Sequence, residues 1–276
     1  MRFCIVGTGR CGSTLLRNML NMHPETFVFP ETHWIPKMYE MFGEQPANPE
    51  SLMSIVQRTH HVTGKPVTSI ESADLESGLG GMGTPTVREF CDRLGQHFAA
   101  EAGKKYWADK TPDYGPHMEM LQRLWPDCKF VHLIRDGGAV ACSMAKHIGY
   151  RWLATAGEDW WGQPSFNGYH TVIEIEERPL QEFAALWYRR ITRIRDELTR
   201  VRQGSSLEVR FEDLIASPTV LLHEIADFLD LESPEDWIAG AAQQVQPEKI
   251  RSRATAEVIG VLTSNQRRLL TDLGYL

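Results

Sequence analysis

The residues with the most chemistry in their spacing stand at the start of the chain, in GTGRCGSTLL at 7–16 directly after FCIV. A short apolar strand, a tight glycine turn and a helix start gather backbone N–H groups and the positive end of a helix dipole around one point, which is an anion site. Gly7, Gly9 and Gly12 permit the turn and a close approach, while Ser13 and Thr14 add hydroxyls in the first helical turn. The loop has the outline of a phosphate-binding loop, yet Ser13 stands where a nucleotide triphosphatase places its lysine. Arg10 supplies a cation from within the loop instead.

A second group of residues converges on the same place. In VHLIRDGGAVACS, Arg135 follows an apolar run and Ser143 lies eight residues later on the helix that should follow, so the pair can bracket a further phosphate. The alternative for Arg135 is a helix-end ion pair with Asp136, and for Ser143 a plain helical serine. Arg135 also intervenes between the apolar run and Asp136, which weakens any case for a strand-end Mg²⁺ aspartate. Glu31 and His33 in PETH, and Lys110 in ADKTP, are the other charged groups at strand ends. Glu31 could be a general base or a carboxylate at a helix N-terminus, and His33 is the rival base, with an ordinary pKa nearer neutrality. Lys110 could stabilise developing charge or merely cap its loop through Asp109.

These residues need a scaffold with all strand ends on one edge. Apolar, β-rich runs recur at 3–6, 26–29, 105–108, 129–134 and 207–211 between helical patterns, the signature of an α/β fold with a central parallel sheet flanked by helices. In such a sheet, ligands collect at the carboxyl ends of the strands. The stretch 35–100 reads as a helical insertion forming a lid or acceptor-side wall. A second irregular region, 148–180, carries Trp152, Trp160, Trp161, Phe166 and Tyr169, whose rings could stack on an acceptor or cover the core. A helix is expected from about 180 to 202, an amphipathic one in PTVLLHEIADFLDL, and a last one after a Ser264 cap.

The 276 residues suit one domain, 1–276, and 42% hydrophobic with 24% charged residues is ordinary for a folded soluble chain. A net charge of −7 argues against a broad nucleic-acid face. The five cysteines are odd in number and without a CxxC pair, which fits free thiols in a reducing compartment and gives no zinc spacing. No apolar run approaches a membrane span, and the chain enters its first strand without a signal peptide, so the expectation is a cytoplasmic protein with no metal.

With these motifs assembled, the sequence resembles a sulfotransferase that uses 3′-phosphoadenosine 5′-phosphosulfate (PAPS). The resemblance rests on GRCGSTLLRNML with HPETFVFPET, on DKTP at 109–112, on FVHLIRDGGAVACS at 130–143 and on VRFEDLIASP at 209–218, in order along nearly the whole chain. It lies nearest the branch of tyrosylprotein sulfotransferases and related bacterial proteins. It implies that Gly9, Arg10, Cys11, Gly12, Ser13 and Thr14 hold the 5′-phosphosulfate and that Arg135 and Ser143 hold the 3′-phosphate, with PAP as product. It further implies Glu31 as general base and in-line transfer to a hydroxyl or amine acceptor, whether small molecule, carbohydrate or peptide. Two departures stand out. A tyrosine common in this branch is Phe211 here, which keeps stacking or packing and loses a hydroxyl. The basic segment that closes over the 3′-phosphate is matched only loosely by Lys249, Arg251 and Arg253. The branch has arginine at the position of His33, so its role does not carry over directly. A P-loop kinase-like phosphotransferase and a noncatalytic nucleotide-binding module remain the other readings.

Overall fold

The computed structural model describes residues 1–59, 78–157, 177–246 and 256–276. Five strands, β1 (Phe3–Gly7), β2 (Thr26–Phe29), β3 (Tyr106–Lys110), β4 (Lys129–Ile134) and β5 (Ser206–Arg210), form one sheet in the order β2-β3-β1-β4-β5. Every pairing is parallel. The expected strands are therefore all present, with two shifts that matter. β3 runs on to Lys110, and β5 stops at Arg210, so Phe211 opens the next helix, Phe211–Ala216.

Alternation along the strands divides the core. Phe3, Ile5, Val28, Ala108, Val131, Leu133 and Val209 face one layer, packed on the helices Ser13–Asn21, Pro218–Leu229 and Glu235–Ala242. Cys4, Val6, Phe29, Trp107 and Phe130 face the other, where Phe90 and Leu94 of the helix Val87–Glu101 and Ile194 of the helix Leu180–Leu198 cover them. The central strands β1 and β4, buried on both faces, read as near-continuous apolar runs, which is why the sequence revealed them.

Helices Trp34–Phe42, Pro49–Arg58 and Val87–Glu101 come from the stretch expected as an insertion, and Trp34, Ile35, Leu52 and Phe90 are core residues. The long helix ends at Leu198, four residues before its expected end. The last helix, Ser264–Asp272, is capped by Thr263 rather than Ser264: Thr263 Oγ1 accepts from the Gln266 amide, and Gln266 Oε1 accepts from the Thr263 amide. That reciprocal pair satisfies two end donors at once, so the cap sits one residue earlier.

Because β1 has β3 on one side and β4 on the other, chain direction across the sheet reverses at β1. A crevice opens at such a switch point, outside the carboxyl ends of the strands. The loop after β1 lies there, flanked by the segments after β3 and β4.

Candidate active site

The loop after β1 has the geometry of an anion cradle. Gly9 (φ 76°) and Gly12 (φ 95°) take the left-handed region, and so does Arg10 (φ 54°). A β-carbon on Gly12 would lie 2.2 Å from the Phe211 ring, and one on Gly9 would lie 1.7 Å from the Tyr150 hydroxyl. Glycine is therefore required twice over, by backbone conformation and by close packing. Helix Ser13–Asn21 begins at Gly12 with no side chain capping it, so its first-turn amides and dipole face the loop. Ser13 is nearly buried and Thr14 exposed. The Cys11 side chain is fully buried in the core, with burial pushing its thiol up, so Cys11 offers the loop its backbone alone.

Arg10 and Ser143, widely separated in sequence, meet: Arg10 Nε donates to Ser143 Oγ at 3.1 Å. Arg135 Nη1 donates to the Arg10 carbonyl at 3.1 Å, and its guanidinium lies 4.5 Å over the Phe211 ring. Asp136 caps its own helix, Gly137–Ala145, accepting from the Ala139 amide at 2.8 Å. Phe211 is buried beneath Gly12 and Arg135, where it packs against both the loop and the guanidinium.

Across the crevice, Lys110 Nζ donates to Glu31 Oε1 at 2.6 Å, and His33 Nε2 lies 3.2 Å from Glu31 Oε2. Lys110 thus pairs with Glu31 across the gap between β3 and the β2 loop, not with its neighbour Asp109. Lys110 and His33 are buried, while the Glu31 side chain keeps about a quarter of its surface exposed. Burial alone would raise the Glu31 carboxyl, but the His33 hydrogen bond and the Lys110 charge outweigh it and bring the carboxyl down to about 2. His33 is moved up: burial opposes its charge, but the Glu31 bond and the charges of Asp113 and Asp109 prevail. His33 therefore carries a cation further toward neutral pH than an ordinary histidine. It also holds φ 58°, an uncommon conformation for a residue with a side chain, at the start of its helix.

Several residues that the sequence did not single out complete the site. Asp109 is fully buried, and burial pushes its carboxyl up to about 6 against the Thr111 and Thr32 hydroxyls and the charges of His33 and Lys110. The Thr32 amide donates to Thr111 Oγ1 at 2.9 Å, and Thr32 Oγ1 lies 2.5 Å from the Tyr114 hydroxyl, which locks the Glu31–His33 turn to the end of β3. Arg190 of the long helix donates from Nη1 to Asp113 Oδ1 at 2.6 Å and to the Thr8 carbonyl at 3.2 Å. One buried guanidinium thereby joins the glycine loop to the Lys110 segment. Tyr150, over Gly9, lies 5.4 Å from the Arg190 guanidinium. Polar side chains in THW and PDYG were a signal, but one without a partner until the chain is folded.

Residues 3–235 match the pattern that defines the Sulfotransferase family. The chain belongs to that family. Among relatives of this sulfotransferase-family chain, the nodulation protein NoeE of Sinorhizobium fredii is 30% identical over 51% of this chain and 30% of its own length. Protein-tyrosine sulfotransferase A of Caenorhabditis elegans is 23% identical over 82% of this chain and 49% of its own. The chain thus spans half or less of these relatives. The sulfotransferase domain from the curacin biosynthetic pathway shares the fold, with a TM-score of 0.62 and 19% identity over 99% of this chain and 97% of that domain.

Trp152, considered as an acceptor platform, is instead fully buried against the long helix, with Phe183 and Trp187 in the same cluster. A ring that size fills the helix interface better than a wet cleft. Trp160, Trp161, Phe166 and Tyr169 lie outside the described residues, as do Lys249, Arg251 and Arg253. Among the described residues no group of three His, Cys, Asp or Glu side chains could hold a metal, and no helix is long and apolar enough to cross a membrane.

Proposed function

We propose that the protein transfers a sulfuryl group from PAPS to a hydroxyl acceptor. The observation that carries this reading is two charged constellations at the carboxyl ends of adjacent parallel strands: Arg10, Ser143 and Arg135 after β1 and β4, and Lys110, Glu31 and His33 after β3 and β2. The loop suits a phosphosulfate, since its amides and Arg10 surround an anion without the lysine of a triphosphatase. Arg135, over the Phe211 ring and bonded to the carbonyl of Arg10, whose side chain donates to Ser143, suits a second phosphate.

The donor supplies a sulfur atom that forms a new bond to the acceptor oxygen as the bridging S–O bond breaks, with the electron pair leaving on the nucleotide phosphate. Glu31 takes the acceptor proton. A carboxylate held near 2 is a weak base, so its basicity must rise when the site fills. Lys110 provides that change: drawn toward the charge growing on the leaving side, it loosens from Glu31 and lets the carboxylate accept the proton. His33, moved up by its bond to Glu31, holds the carboxylate in place, which favours Glu31 over His33 as base. Arg10 and the loop amides stabilise charge on the transferring group.

The curated relatives named for tyrosine sulfation make peptide hydroxyls one acceptor class to test beside sugars and phenols. A titration with adenosine 3′,5′-bisphosphate, adenosine 5′-phosphate and ATP with Mg²⁺ tests the donor. At about 100 times its dissociation constant a ligand adds about 2.7 kcal/mol. Stabilisation by the bisphosphate without metal, much reduced in Arg135→Ala, is expected. Stabilisation by ATP with Mg²⁺ alone would overturn the donor assignment in favour of phosphoryl transfer.

A further inference from the structure

The end of the chain reaches the donor site from behind. Arg210, the last residue of β5, stacks its guanidinium 4.3 Å over the Tyr275 ring and donates from Nη2 to the Gly274 carbonyl at 3.2 Å. The Tyr275 hydroxyl donates to Glu212 Oε2 at 2.9 Å. Glu212 Oε1 in turn accepts from the Asp136 amide at 3.2 Å. That amide belongs to the peptide immediately following Arg135. Each Glu212 oxygen thus accepts a hydrogen bond.

Glu212 is also the charged group that acts most strongly on Arg135, ahead of Asp136 and Arg10, while burial pulls the guanidinium the other way. A carboxylate so near is a rival for the anion that Arg135 would bind. Its neighbour Phe211 lies beneath that guanidinium.

We infer that Tyr275 is a positioning residue of the donor site: its hydroxyl holds Glu212 turned back against the Asp136 amide, and so keeps the Glu212 carboxylate from competing with the 3′-phosphate for Arg135. This inference rests on the donor reading above. Without the phenol hydroxyl, Glu212 loses a charge-assisted hydrogen bond and is released to turn toward the Arg135 guanidinium, on which its charge already acts. The resulting internal ion pair competes with the ligand. The ring itself, stacked on Arg210, is unaffected by removal of one oxygen, so the fold is expected to persist.

The test is calorimetric titration of the full chain with adenosine 3′,5′-bisphosphate and adenosine 5′-phosphate. In Tyr275→Phe the bisphosphate should bind about tenfold more weakly, as expected for a lost bond to a charged group, with 5′-phosphate affinity unchanged. Adding Glu212→Gln to Tyr275→Phe should restore the bisphosphate, because a neutral amide makes no ion pair with Arg135. A purely structural tyrosine gives no such rescue. Unchanged bisphosphate affinity in Tyr275→Phe, equal weakening of both ligands, or failure of the second substitution to rescue would each overturn the role of Tyr275. A wild type indifferent to the 3′-phosphate would overturn the donor reading itself, and this inference with it.

Discussion

Replacing Glu31 by Gln should expose the charge balance of the site as a pH-dependent loss of stability. The Glu31 carboxyl is brought from 4.5 to about 2 on folding by His33 and Lys110, against the opposing effect of burial. A folded value below the unfolded one contributes stability above the unfolded value, lost as pH falls through the folded one. At about 1.36 kcal/mol per pKa unit, the shift is worth about 3 kcal/mol at pH 7. At pH 3, between the two values, only about 1 kcal/mol of it remains. Gln keeps the shape and removes the titration. Wild type should therefore lead Glu31→Gln by an amount that shrinks by about 2 kcal/mol between pH 7 and pH 3. Urea unfolding of both proteins at pH 7, 4 and 3, extrapolated to water, measures it. A difference constant across that range would refute the reasoning, since it would mean that the loss comes from packing and not from the charges of Lys110 and His33.

Two other outcomes follow from the same geometry. Asp109 has the opposite sign to Glu31: its folded value of about 6 lies above its ordinary 3.8, so its contribution is full below about 3.8 and is lost as pH rises through 6. Asp109→Asn should flatten the fall in melting temperature between pH 4 and pH 7, and an unchanged slope would mean that the carboxyl is not the group titrating there. Gly12→Ala forces a side chain onto φ 95° and into the Phe211 ring, so it should cost about 1–3 kcal/mol and abolish bisphosphate binding; a thermal scan with and without ligand checks both.

The strands, the glycine loop and the strand-end charges are legible in the amino-acid order alone. An apolar run of four to six residues buried on both faces, and a glycine at a tight turn, are local demands that nearby residues reveal without knowledge of the rest of the chain. Arg10, Glu31, His33, Lys110 and Arg135 were legible for that reason, since a parallel sheet brings its carboxyl ends to one edge. Partners were not legible, because hydrogen bonds between distant segments depend on how helices cross the sheet. Lys110 reaches Glu31 rather than its neighbour Asp109 only once β2 and β3 lie side by side. Trp152, which the aromatic-rich stretch 148–180 offered to a ligand, goes into the core because that stretch opens with a helix, Ile148–Ala156, packed against Leu180–Leu198 rather than with irregular chain. Arg190 and Tyr275 carry no motif at all. Folding places the first between the glycine loop and Asp113 and the second behind Arg135, and no spacing within the chain encodes either contact.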